Sequence, residues 1–100
     1  MESVRALLVA HDAAPYPVSL SATDDVDGVS LVMLDADIAG LAEWFVAHDG
    51  VLRPDQWSTL ESCAADARAV MPRLTDDAWV YFGRLFALAQ AMLRRRPGSA

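Results

Sequence analysis

The chain has 100 residues, a net charge of −6 and 54% apolar residues, which bounds it to one small domain able to build a core and excludes a largely disordered polymer. Its charge is unevenly placed: lysine is missing and no arginine lies between Arg5 and Arg53, yet that stretch carries Asp12, Asp24, Asp25, Asp27, Asp35, Asp37, Glu43 and Asp49. A one-signed surface of this kind repels nucleic acid and speeds encounter with a basic partner.

In chain order, Ser3 to His11 reads as a short helix with Val4, Leu7, Leu8 and His11 on one side. Pro15 and Pro17 then enforce an extended path. Val18 to Ala22 alternates with period two, Thr23 to Gly28 is a polar turn, and Val29 to Leu34 is apolar on both faces. These features predict a β-hairpin whose second strand is covered on both sides. Two strands alone are marginal in water, so the hairpin must lie on helices or be extended by another chain, as in a homodimer.

Three further helices are expected. The first runs from about Asp37 to His48, with Asp35 or Asp37 as N-cap, Gly50 just past its end and an apolar stripe of Ile38, Leu41, Ala42 and Phe45. Trp44 borders that stripe and is placed in the core. The second opens at Pro54, is lined by Trp57, Leu60, Ala64, Ala67 and Met71, and ends or bends at Pro72. The third starts near Thr75, is lined by Trp79, Phe82, Phe86, Ala89 and Leu93 with Leu85 and Met92, and closes on Arg94, Arg95 and Arg96. The fold class is therefore α+β, with a short N-terminal helix, a β-hairpin and a three-helix bundle packed on it. It forms a single domain over residues 1–96, and residues 97–100 are a frayed tail. Ala78 to Leu93 is the most apolar stretch. At 16 residues, interrupted by Arg84 and Gln90, it falls short of the roughly 20 that a membrane span requires.

A single cysteine, Cys63, excludes an internal disulfide and fits a reducing cytoplasm, where it is expected to be a small buried hydrophobe. The N-terminus lacks the basic-then-apolar order of a secretion signal. Lysine and asparagine are missing and isoleucine occurs once. All three use AT-rich codons, which points to a GC-rich bacterial source.

Candidate chemistry is sparse. Ser30 to Asp37, an apolar run ending in Asp-x-Asp, resembles the first motif of haloacid-dehalogenase-type phosphatases. That resemblance implies a nucleophilic Asp35 and an acid/base Asp37. The chain departs from it at Ala39, where the family has Thr or Val, in having no lysine, and in being too short for a doubly wound sheet. The expectation is that one aspartate caps a helix and the other is solvated. Asp25-Val26-Asp27-Gly28 has part of a calcium-loop pattern, but Leu34 stands where the bidentate Glu belongs. Val-Ala-His-Asp occurs at residues 9–12 and again at 46–49, each at an expected helix end, and the two His-Asp pairs have no diagnostic ligand spacing. No nucleophile–base arrangement and no glycine-rich phosphate cradle is present.

The run Val29 to Gly40, with Trp44 and Tyr81-Phe82-Gly83-Arg84-Leu85, resembles short actinobacterial proteins that carry no assigned activity. The resemblance spans most of the chain and implies no chemistry.

The sequence is thus read as a non-catalytic, cytoplasmic, acidic protein-interaction module, immunity-, antitoxin- or adaptor-like. It needs no cofactor or metal, contacts neither nucleic acid nor membrane, and binds a basic protein. Its expected binding residues are Asp24, Asp25, Asp27, Asp35, Asp37, Glu43, Trp44 and Asp49. The alternative is a small-molecule-binding or accessory protein with a pocket between hairpin and helices, lined by Met33, Trp44, Trp57 and Phe82. A third reading, an enzyme using Asp35 and Asp37, requires both carboxylates in a cleft.

Overall fold

The computed structural model describes residues 1–21 and 24–98. Its helices are α1 (Glu2–Ala13), α2 (Leu31–Ala47), α3 (Pro54–Val70) and α4 (Asp76–Leu93). Between α1 and α2 lies a two-stranded antiparallel sheet, β1 (Asp25–Val26) and β2 (Val29–Ser30), and a 3₁₀ turn over Met71–Arg73 leads from α3 into α4. α4 packs on all three other helices, so the molecule is a helical bundle with a small hairpin at its edge.

The hairpin is much shorter than its sequence implied. Asp25 pairs with Ser30 and Val26 with Val29 across an Asp27-Gly28 turn, both residues of which have positive φ, as a tight two-residue hairpin requires. Val18 and Ser19 form a turn, not a strand, and the Leu20 N–H donates to Pro17 O at 3.1 Å. Ala22 and Thr23, which the expected strand and turn included, lie outside the described residues, as do Ser99 and Ala100 of the expected tail.

The expected second strand is mostly helix. Leu31 to Leu34 forms the first turn of α2, because Ser30 caps it: Ser30 Oγ accepts from the Met33 N–H at 3.3 Å. An apolar run of this length matches a buried strand and a buried helix equally. Here Leu31, Leu34, Ile38, Ala42 and Phe45 recur at helical spacing and all are buried. Asp35 and Asp37 therefore lie inside the helix, and neither caps it. α2 ends at Ala47 with His48 as its C-cap, and Asp49 and Gly50 just beyond both have positive φ. The Gly50 N–H donates to Phe45 O at 2.8 Å, and a side chain at Gly50 would begin 3.2 Å from the Phe45 ring.

α3 opens as expected at Pro54, with Gln56 Oε1 accepting from the Arg53 N–H at 2.9 Å. Its inner side, from Trp57 through Leu60, Cys63, Ala64 and Ala67 to Val70, meets Phe45 of α2, whose ring stands edge-on to Trp57 at 6.3 Å. The α4 stripe is rotated from the expected one. Tyr81, Phe82, Leu85, Leu88, Ala89 and Met92 are buried, Phe86 and Leu93 are half-buried, and Trp79 is 51% exposed. A helix that packs on three others buries a wide arc, and the arc centred on Leu85 leaves Trp79 outside. Trp44 is likewise on the outer side of α2, 37% exposed rather than in the core.

Candidate functional site

The residues expected to form one acidic surface divide into two groups. Asp35 goes inward. Its Oδ1 lies 2.7 Å from His11 Nε2 of α1 and its Oδ2 accepts from the Tyr81 hydroxyl of α4 at 2.7 Å. A carboxylate oxygen only accepts, so Nε2 carries the proton in the first contact. His11 is 5% exposed and Tyr81 is buried, which makes this a polar knot inside the bundle, clamping α1, α2 and α4 together. Tyr16, on the segment after α1, stands edge-on to Tyr81 with ring centroids 5.5 Å apart. Burial, then the hydrogen bond to Asp35, pushes the Tyr81 hydroxyl pKa far up, and burial also raises that of Tyr16. His11 Nδ1 and the Tyr16 hydroxyl are buried and have no hydrogen-bond partner among the described residues. Asp35 is thus removed from the expected binding surface. His11 and His48 do not meet: His48 stacks on Trp44 with ring centroids 3.9 Å apart and donates from Nδ1 to Trp44 O at 2.9 Å.

The remaining residues face outward. Asp24 is occupied locally, accepting from the Ser21 N–H at 2.8 Å and the Ser21 hydroxyl at 3.0 Å. Asp27 lies 3.4 Å from Arg73, an exposed pair. Asp25, Asp37, Glu43 and Asp49 are exposed and make no ion pair among the described residues. The outer face of α2 also carries Met33, 57% exposed, and Trp44, over whose ring the Arg53 guanidinium sits at 5.3 Å.

Asp37 lines a cleft beside this face. Gly28, Val29 and Ser30 of the hairpin, Met33, Leu34 and Asp37 of α2, and Cys63 and Asp66 of α3 enclose a cleft of about 210 Å³. Cys63 is buried on its wall. Burial first, then the charges of Asp37 and Asp66, push its thiol pKa up to about 11, so it is a protonated packing residue rather than a nucleophile. Asp66 was not singled out in the sequence. Its place follows from the Cys63–Asp66 spacing, which puts the carboxylate one turn along α3 from a wall residue. Met33 alone of the four residues expected to line a ligand pocket belongs to this cleft, since Phe82 and Trp57 are core residues and Trp44 lies on the outer face. Among the described residues no three His, Cys, Asp or Glu side chains gather as metal ligands, and no helix is long and apolar enough to cross a membrane.

Comparison with protein-family models, with curated proteins and with solved structures finds no match for this chain.

Proposed function

We propose that the chain is an acidic interaction module that receives a basic protein on the outer face of α2, with Asp37 and Asp66 taking an arginine or lysine side chain into the cleft. The observation that supports this is the pairing of two carboxylates on the rim of a small cleft beside the exposed Met33, with Glu43 and Trp44 further along the same helix. A cleft of about 210 Å³ is below the roughly 300–1,000 Å³ of sites that enclose drug-sized ligands, which favours insertion of a single side chain. Gly40, in the middle of the same face, adds to the reading. A side chain there would meet nothing within 4 Å, so the glycine costs helix stability without an intramolecular contact to explain it. It leaves the helix backbone open to close approach. Unpaired acids speed encounter, and the exposed apolar side chains then supply buried area.

The test is titration with a short oligo-arginine peptide, read by NMR shift mapping at several salt concentrations. Binding that perturbs Met33, Asp37, Cys63 and Asp66, weakens steeply with salt and is lost in Asp37→Arg/Asp66→Arg would support the reading. Equal binding by wild type and that variant would refute it.

A further inference from the structure

We propose that a second copy of the chain covers the outer face of α4, in an antiparallel pair about a twofold axis that passes between Gly83 and Ala87. Asp76, Val80, Gly83, Ala87, Gln90 and Arg94 follow one another at alternating steps of four and three, the spacing that keeps a seam on one side of a helix facing another. None of these six residues is buried: Asp76, Val80 (49%) and Arg94 are exposed, and Gly83, Ala87 and Gln90 are half-buried.

The two ends of the face carry opposite charge. Asp76 and Asp77 open the helix, and Arg94 and Arg95 follow its last turn. Asp76, Arg94 and Arg95 have no side-chain ion pair or hydrogen bond among the described residues. Asp77 remains ionised, since a hydrogen bond from the Ser19 hydroxyl at 2.5 Å lowers its pKa. The face is therefore complementary to itself when reversed. Turning a second copy about the midpoint of Gly83 and Ala87 sets Asp76 against Arg94 twice, Val80 against Gln90 twice, and Gly83 against Ala87 at the crossing. The antiparallel arrangement also brings each helix N-terminus to its partner's C-terminus.

Gly83 points the same way. Its φ is not positive, and an added Cβ would make only an ordinary contact, 3.5 Å from Met71 Cε. The monomer thus gives no reason for a glycine in mid-helix, where alanine is the more stable choice. At the centre of a helix pair, glycine opposite alanine permits close approach. The face is distinct from the α2 cleft, so one copy is free to hold both contacts.

Sedimentation velocity over a concentration series tests the proposal. Wild type should show a monomer–dimer equilibrium, and a monomer at every concentration up to about 1 mM would overturn it. Arg94→Glu/Arg95→Glu, and separately Asp76→Asn/Asp77→Arg, should each raise the dissociation constant at least ~10-fold, while an equimolar mixture of the two variants recovers association as a heterodimer. Asn is used at position 76 because the φ there is +52°, which asparagine tolerates. A dimer that survives both reversals would refute the α4 seam. Should either variant lose its helical circular dichroism, wild type alone decides the matter. A nitroxide attached through Gln90→Cys should then broaden amides around Val80 of an isotope-labelled partner. Broadening at the β1–β2 hairpin in place of Val80 would overturn the proposal.

Discussion

Asp35 and Asp37 stand two residues apart on one helix, yet the inner edge and the outer face of α2 put them to opposite uses. Asp35 holds two buried donors, His11 and Tyr81, from two other helices. Asp37 is exposed and lines an open cleft. The difference is purely angular: two residues along an α-helix turn a side chain through roughly 200°. A carboxylate on the inner edge is tolerated only because its donors are in place, whereas one on the outer face costs the monomer almost nothing. Identity of residue type therefore says little about role until the phase of the helix is known.

The largest break in that contrast should come from Asp35→Ala, which strands the His11 and Tyr81 donors inside the bundle. A loss of about 3–5 kcal/mol in urea unfolding is expected. Tyr81→Phe keeps the ring and removes one donor to a charged group, and should cost about 1.5–3 kcal/mol in the same assay. Alkali separates buried groups from solvated ones in another way. Cys63, normally near 9, is raised to about 11 in the fold, and Tyr81 and Tyr16 are raised above their usual value near 10. Below about pH 8 folded and unfolded chains both hold these protons, so stability is flat with respect to them. Above it the unfolded chain releases them first, and stability falls as pH rises toward the folded values. Cys63→Ala should recover roughly 1–2 kcal/mol of that fall near about pH 10.5. On the outer face, Gly40→Ala should stabilise the monomer by about 0.5–1 kcal/mol, seen as a higher melting temperature. Asp37→Asn should move stability by no more than about 0.5 kcal/mol, sharpening the comparison with its neighbour.

Much of the helical plan was legible in the sequence, because Pro54, Pro72, Thr75 and Gly50 punctuate it and apolar spacing fills the intervals. The start of α2 was misplaced because Val29 to Leu34 carries no polar residue except Ser30, and period alone does not separate a strand covered on both sides from a buried helix. Reading Ser30 as a cap extends the helix backward and brings Leu31 and Leu34 into register with Ile38. The same shift moves Asp35 to the inner edge. His11 was correctly placed on the apolar side of α1, but its partners come from residues 24 and 70 positions away, beyond the reach of any local pattern. Helical spacing puts Trp79 on the expected core stripe and Trp44 at the border of another, yet both are exposed. The buried alanines near them are Ala78 and Ala42. For the acidic cleft, Asp37 was visible in the sequence and Asp66 was not, because it takes the meeting of α2 and α3 to bring them to one rim.

The helix that packs most extensively on each of the others is also the last of the four to leave a ribosome. Until α4 emerges, α1, α2 and α3 lack the helix that packs most extensively on each of them, and the carboxylate of Asp35 is without its tyrosine. The core is therefore completed only when α4 joins it, and a nascent chain halted before Tyr81 should remain more open to proteases and chaperones.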